Sequence, residues 1–217
     1  MENVWLEPVV ENYKKYFGNK IAKLVIDVGT RDGDDAEFLR NKLRAKRVIA
    51  IDANPVAVDK TRNAYPSFEV YETAVSDFVG ETTFVQIISD DKNLAGCSSM
   101  NSSKFDEEEL LKKSNHHTIT VPVTRLDVLL GERQPIDVIK IDIEGYTYQA
   151  LVGLGDCIWD TKIMHLETET RKLFDGHRDN LAVAEYMQSK GFVLVNVSYE
   201  WGFGIQDQVW INPLHIV

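Results

Sequence analysis

The chain is poor in cysteine. Its 217 residues hold two, Cys97 and Cys157. They are far apart and lack paired spacing, which excludes a disulfide-stapled scaffold and reads as thiols of a reducing compartment. No His or Cys pairing has zinc spacing. Basic residues are also scarce: 24 Lys and Arg stand against 34 Asp and Glu, for a net charge of −10. Nucleic acid phosphates and anionic membrane surfaces would be repelled over most of such a surface. There is no apolar run long enough to span a bilayer and no signal-peptide pattern, so the expected location is cytoplasmic. Internal repeats and low-complexity tracts are lacking too.

What remains has the composition of an ordinary globular protein, 44% hydrophobic and 27% charged. The length predicts one domain over residues 1–217, with an N-terminal helix in 1–20 and a core over 21–217. Residues 4–17 have helical spacing, with Pro8 in a first-turn position. Strands are expected at Lys23–Asp27, Arg47–Asp52, Phe68–Glu72, Thr82–Ile88, residues 136–145 and Ile163–Glu169. Helices are expected at Asp34–Arg44, Asn54–Tyr65, Phe105–Ser114, Leu126–Leu130, Tyr146–Leu154 and Asn180–Lys190. Residues 89–103 are polar and turn-rich, and Thr118–Val123 reads as an extended edge segment. Phe192–Tyr199 and Gln208–Ile211 read as a closing antiparallel hairpin. Alternating strands and helices specify an α/β fold with a doubly wound, mostly parallel, Rossmann-like sheet.

The chain is organised around Val25–Asp52. An apolar strand ends in Asp27, a turn carries Gly29 and Gly33, a helix follows, and a second apolar strand ends in Asp52. Such a βαβ unit holds a nucleotide-like ligand over the strand ends, with the second acid gripping ribose hydroxyls. A dinucleotide fingerprint needs G-x-G-x-x-G so that pyrophosphate can lie on the helix start. Here the turn is GTRDG and carries acids. Acids repel pyrophosphate but suit a ligand with an ammonium and a sulfonium, S-adenosylmethionine. On this reading Asp27, Gly29, Asp32 and Gly33 are cofactor candidates, with Gly29 admitting a ligand where a Cβ would collide.

Acids also end later strands: Asp142 with Glu144, and Glu167 with Glu169. Parallel strands deliver such acids to one rim, where ligands of open α/β sheets bind. Some will be caps or exposed. His165 lies one period-two step before Glu167 and could share its face, although a strand histidine is more often a satisfied core residue. His116, His117 and His177 read as exposed.

The blocks VIDVGTRDG, AIDANP, TAVSD, VTRLDVLL and IDVIKIDIEGYTYQALVG resemble the FkbM-type S-adenosylmethionine-dependent methyltransferases, from about Leu24 to Asn212. The resemblance implies a seven-stranded class I methyltransferase sheet and methylation of a hydroxyl on a small molecule, often a sugar or glycan. It places Gly29, Thr30 and Arg31 against the methionyl group, and Asp52, Ala53 and Asn54 at the ribose. Ala74 and Val75 fall near adenine, with Ser76 or Asp77 toward its amino group, and Ser98 matches a family serine near the cofactor. The family turn usually continues with a small residue and Asn; here Thr30 and Arg31 stand there. Arg31 either pairs with the cofactor carboxylate or is a solvated turn residue. Ala74 and Val75 also suit plain core packing.

Methyl transfer from a sulfonium needs alignment, and a neutral hydroxyl needs a base or a metal. Asp142, Glu144 and Glu167 are the catalytic candidates, with His165 below them, and Asp142, nearest the switch point, is also a cofactor candidate for the ammonium. Asp142 and Glu167 could also hold magnesium or manganese through oxygen ligands. Tyr146 and Tyr148 flank the acidic strand end. Tyr199, Trp201 and Phe203 lie in YEWGFG, as an acceptor platform or as a cover on the core edge. Two rivals share these features: a nicotinamide-dependent oxidoreductase, and a non-catalytic cofactor-binding module of a larger glycan-modifying protein.

Overall fold

The computed structural model describes residues 4–88, 98, 100, 115–170, 178–198 and 204–216. A 3-10 turn over Val4–Leu6 leads into helix α1 (Glu7–Phe17), which Pro8 helps start and Gly18 ends. Strands β1 (Leu24–Val28) and β2 (Arg47–Asp52) pair in parallel across helix α2 (Asp34–Leu43). Helix α3 (Pro55–Ala64) is capped by Asn54 Oδ1, which accepts from the Val56 N–H, and β3 (Glu69–Glu72) joins β2. Further along the same sheet lie β7 (Ile136–Ile141), β8 (Thr161–Glu169), β9 (Val193–Val197) and β10 (Ile205–Ile211). The order is β3-β2-β1-β7-β8-β10-β9, parallel except for β10. The expected doubly wound sheet with a closing antiparallel hairpin is present.

The apolar runs form strands because both faces of the sheet are covered. On one face Ile26, Ile49, Ile139, Met164 and Trp210 pack against α4 (Leu126–Leu130), α5 (Thr147–Gly153) and α6 (Asn180–Ser189). On the other, Val25, Val48, Val138 and Ile163 pack under Val9, Tyr13 and Phe17 of α1 and Leu39 of α2. Tyr13 donates to Asp137 Oδ1 at 2.7 Å, and the N–H groups of Lys23 and Leu24 and the Lys162 ammonium donate to the same carboxylate. Burial alone would raise the Asp137 pKa, but these donors hold it below the usual range. Cys157 is a buried free thiol.

Two expectations change. Strand β1 runs to Val28 rather than ending at Asp27, because Val28 still pairs with Ile51 and Ile141. Asp27 is therefore inside the sheet and fully buried. The segment read as an edge is the centre of a second sheet, ordered β4-β6-β5. Here β6 (Asn115–Thr124) pairs antiparallel with β5 (Gly80–Ile88) and parallel with β4 (Ala74–Val75). Phe84, Val121 and Val123 of this arm bury against Ala53 and Ala74, beyond the end of β2. The helix expected at 105–114 lies outside the described residues, as does the loop at 89–103 apart from Ser98 and Met100. Among the described residues no helix is long and apolar enough to cross a membrane.

Candidate active site

The strand order reverses between the parallel neighbours β1 and β7, and an open α/β sheet leaves a crevice there at the strand ends. A cleft occupies it, lined by Gly29, Arg31, Asp35, Asp52, Ala53, Asn54, Lys140, Asp142, Glu144 and Glu167, with Ala57, Ala74, Val75, Phe84, Ser98 and Met100 on the arm side. Gly29 has φ 81°, and a Cβ there would stand 1.8 Å from the backbone oxygen of Asp142. What excludes a side chain at Gly29 is the neighbouring chain after β7, not a ligand. Gly33 has φ 81° at the start of α2, where a Cβ would meet the Tyr65 ring at 2.7 Å.

Asp52 closes β2 in the cleft. Its Oδ2 accepts from the Arg31 N–H at 2.9 Å and its Oδ1 from the Asn54 N–H at 2.8 Å. Burial pushes its pKa up to about 6 despite these bonds. Arg31 adopts φ 54°, an uncommon conformation for a non-glycine residue, and its Nε lies 3.7 Å from Asp32 Oδ1. That buried Nε has no hydrogen bond among the described residues. Asn54 Oδ1 also accepts from Gln86 Nε2 of β5 at 2.7 Å, tying the arm to α3.

At the other end three carboxyl groups converge. Asp142 is one residue past β7, Glu144 enters from a turn at φ 48°, and Glu167 projects from β8. One oxygen of each lies within 4.8 Å of the others. Glu144 does not arrive by strand alternation, since β7 has already ended. Burial, then Asp142 and Glu169, push Glu144 to about 8. Burial and the neighbouring acids also raise Glu167 well above the usual range. Burial would raise Asp142 as well, but the Lys140 ammonium and a Glu167 hydrogen bond hold it low. The cluster thus sets one carboxylate held low beside two whose proton affinity is raised.

Lys140 was not anticipated, nor was Asp35. Lys140 is 2% exposed, and its Nζ stands 3.3 Å from Asp27 Oδ1, 3.2 Å from Asp35 Oδ2 and 3.2 Å from Asp142 Oδ2. The available signal was a lysine inside an apolar strand, which is seldom buried without acidic partners.

Several candidates lie outside the lining. Asp27 is behind Lys140 and also accepts from Thr30 Oγ1 at 2.9 Å. Thr30, Asp32 and Gly33 shape the turn without facing the cleft. Asp77 is exposed and accepts from Ser76 Oγ, while its carbonyl accepts from Arg125. His165 is buried in β8 beside Lys140, with Nε2 3.6 Å from Asp207 Oδ1. Burial and Lys140 outweigh Asp207 and keep its pKa below the usual value, so the ring is neutral. Tyr146 is half-buried outside the lining, and Tyr148 packs edge-on against Tyr186 at 5.4 Å. His116 and His117 are exposed. Tyr199, Trp201, Phe203 and His177 lie outside the described residues.

The fold has solved counterparts. The FkbM methyltransferase from Methylobacillus flagellatus KT superposes with a TM-score of 0.57 at 14% identity, covering 93% of this chain and 50% of that one. The chain therefore spans half the length of that protein. An rRNA methylase from Streptococcus thermophilus gives 0.52 at 14% identity, covering 98% of both chains. Magnesium protoporphyrin IX methyltransferase from Synechocystis PCC 6803, solved with bound SAM, gives 0.51 at 11% identity, covering 96% of this chain and 78% of that one. At these identities the likeness shows the shared class I methyltransferase fold. A search of curated proteins gave no match. The model of the methyltransferase FkbM domain matches residues 27–194, which include the glycine turn, Asp52 and all three converging acids. The chain belongs to the FkbM methyltransferase family.

Proposed function

We propose that the protein transfers a methyl group from S-adenosylmethionine to a hydroxyl of a small molecule, a sugar or glycan foremost, in the cytoplasm. The observation that carries this reading is the convergence of Asp142, Glu144 and Glu167 in the cleft that Asp52 and Arg31 also line. The residues present suit the cofactor. Ala53, Ala57, Ala74 and Phe84 offer an apolar slot for adenine. Each Asp52 oxygen has lone-pair capacity beyond its one backbone bond, enough to accept a ribose hydroxyl. The Arg31 guanidinium suits the carboxylate, and the acids suit the ammonium and sulfonium.

When bound, S-adenosylmethionine supplies a methyl already activated on sulfur. The chain's work is then to align the acceptor and remove its proton. Burial and the neighbouring acids push the Glu144 carboxyl to about 8. Once ionised it is a stronger base than an ordinary carboxylate, and the hydroxyl proton goes to its oxygen. Glu167, raised by burial and the neighbouring acids, is the second candidate base. The same oxygens form an all-oxygen set for magnesium or manganese, with Asp142 and Glu167 as ligands. The net charge of −10 favours a small acceptor over RNA.

Melting curves with S-adenosylmethionine and with NAD test the cofactor. A shift with the first alone is expected, and no shift with it sinks the reading. A sugar-acceptor screen read by mass for one added methylene tests the acceptor, and product found only on nitrogen or carbon would overturn the O-methyl assignment. With a resident metal, a chelator abolishes turnover and added magnesium or manganese restores it. Turnover that survives the chelator removes the metal.

A further inference from the structure

We propose that Lys140 is a positioning residue that fixes the Asp142 carboxylate in the cleft and acts on cofactor binding through it. The inference rests on the cofactor reading above. A lysine is almost never fully buried unless paired, and apolar residues of similar volume often stabilise such sites as well or better. Its presence near the end of β7 therefore points to a task other than stability. An ammonium has three donors, and here three carboxylates stand within 3.3 Å of it. They come from three elements: Asp27 from β1, Asp35 from α2 and Asp142 from the turn after β7. Asp27 in turn holds Thr30 of the glycine turn.

Lys140 thus braces the turn on one side of the crevice against Asp142 on the other. Tethering Oδ2 fixes the plane of the Asp142 carboxylate, which is the one partly exposed member of the trio. A cation entering the cleft meets a carboxylate that is already oriented, so less ordering entropy is lost on binding.

The test is a double-mutant cycle on S-adenosylmethionine affinity, measured by calorimetry on the wild type, Lys140→Met, Asp142→Asn and the pair. Lys140→Met should weaken binding by about 10–100-fold, the usual cost of losing a group that orients a ligand. In the Asp142→Asn background the same substitution should cost nothing further. Equal losses in both backgrounds would mark Lys140 as merely structural and overturn the proposal, as would no loss in the wild-type background. Asp27→Asn, which removes one stranded charge, serves as the parent for all four proteins if Lys140→Met does not fold. A wild type that binds no S-adenosylmethionine removes the cofactor reading and this proposal with it. A wild type that binds while the cycle is additive removes this proposal alone.

Discussion

Glu144→Gln should stabilise the ligand-free protein at alkaline pH and leave it unchanged in acid. Glu144 sits in a left-handed turn, with an oxygen within 4.8 Å of those of Asp142 and Glu167. In the unfolded chain its carboxyl titrates near 4.5, and in the fold it is pushed up to about 8. Between those values the folded chain keeps a proton that the unfolded chain has lost, so stability falls as pH rises through this window. Below 4.5 both states are protonated and the group contributes nothing; above 8 the penalty is complete. At about 1.4 kcal/mol per pKa unit the ceiling is about 5 kcal/mol. The cleft admits water, which screens the group, and roughly 2–3 kcal/mol is the expected penalty. Urea midpoints of both proteins at pH 5, 7 and 8.5 measure it, and the difference curve cancels every titrating group that does not interact with Glu144. Glutamine should match the wild type at pH 5 and exceed it by that amount at pH 8.5, while activity is lost. A difference that does not change with pH would refute the reasoning.

Other perturbations probe separate links. Asp52→Asn should weaken S-adenosylmethionine binding by roughly 1.5–3 kcal/mol. Because Asp52 titrates at about 6, wild-type affinity should also fall as pH drops through that value while the variant's stays flat. Calorimetry across pH 5 to 8 decides both, and unchanged affinity would remove Asp52 from the site. Gly29→Ala should cost about 3 kcal/mol or more, since the new Cβ meets a backbone oxygen and φ is positive; a loss under about 1 kcal/mol in urea would mean the strands give way there. Tyr13→Phe should cost about 1–2 kcal/mol by removing one donor from buried Asp137, and thermal unfolding unaffected by it would show that the remaining donors suffice.

The central βαβ unit was legible because its strands are buried on both faces and so read as unbroken apolar runs. The helix start at Asn54 was legible because an Asn-Pro pair supplies both a cap and a preset φ. Strand ends were less so. Asp27 looks terminal from its polarity, but pairing with neighbours on both sides carries β1 one residue further. The central place of β6 was hidden for a similar reason. Alternation reports that one face is buried, and it is silent on how many strands pair with the backbone. That number depends on β4 and β5, which are distant in sequence.

For the site, the rule that ligands meet strand ends located Asp52, Asp142 and Glu167 without any contact information. It named Glu144 as well, although that residue reaches the cleft through a turn and not along the strand. It missed Asp35, which arrives from the first turn of a helix. Lys140 is the instructive case. Its own strand shows only that a charge is buried; its partners come from β1 and α2 as well as the turn after β7, so the network exists only once the chain is folded. Among the described residues three non-glycine positions have positive φ, namely Arg31, Arg44 and Glu144. Arg44 ends α2, where such a conformation serves as a cap. The other two line the cleft and have no such helix-ending role. Backbone strain of this kind persists only where surrounding structure enforces it. Its coincidence with a buried lysine and three crowded carboxyls indicates that this crevice gives up stability to hold charge in place, the same trade that the Glu144→Gln difference curve measures.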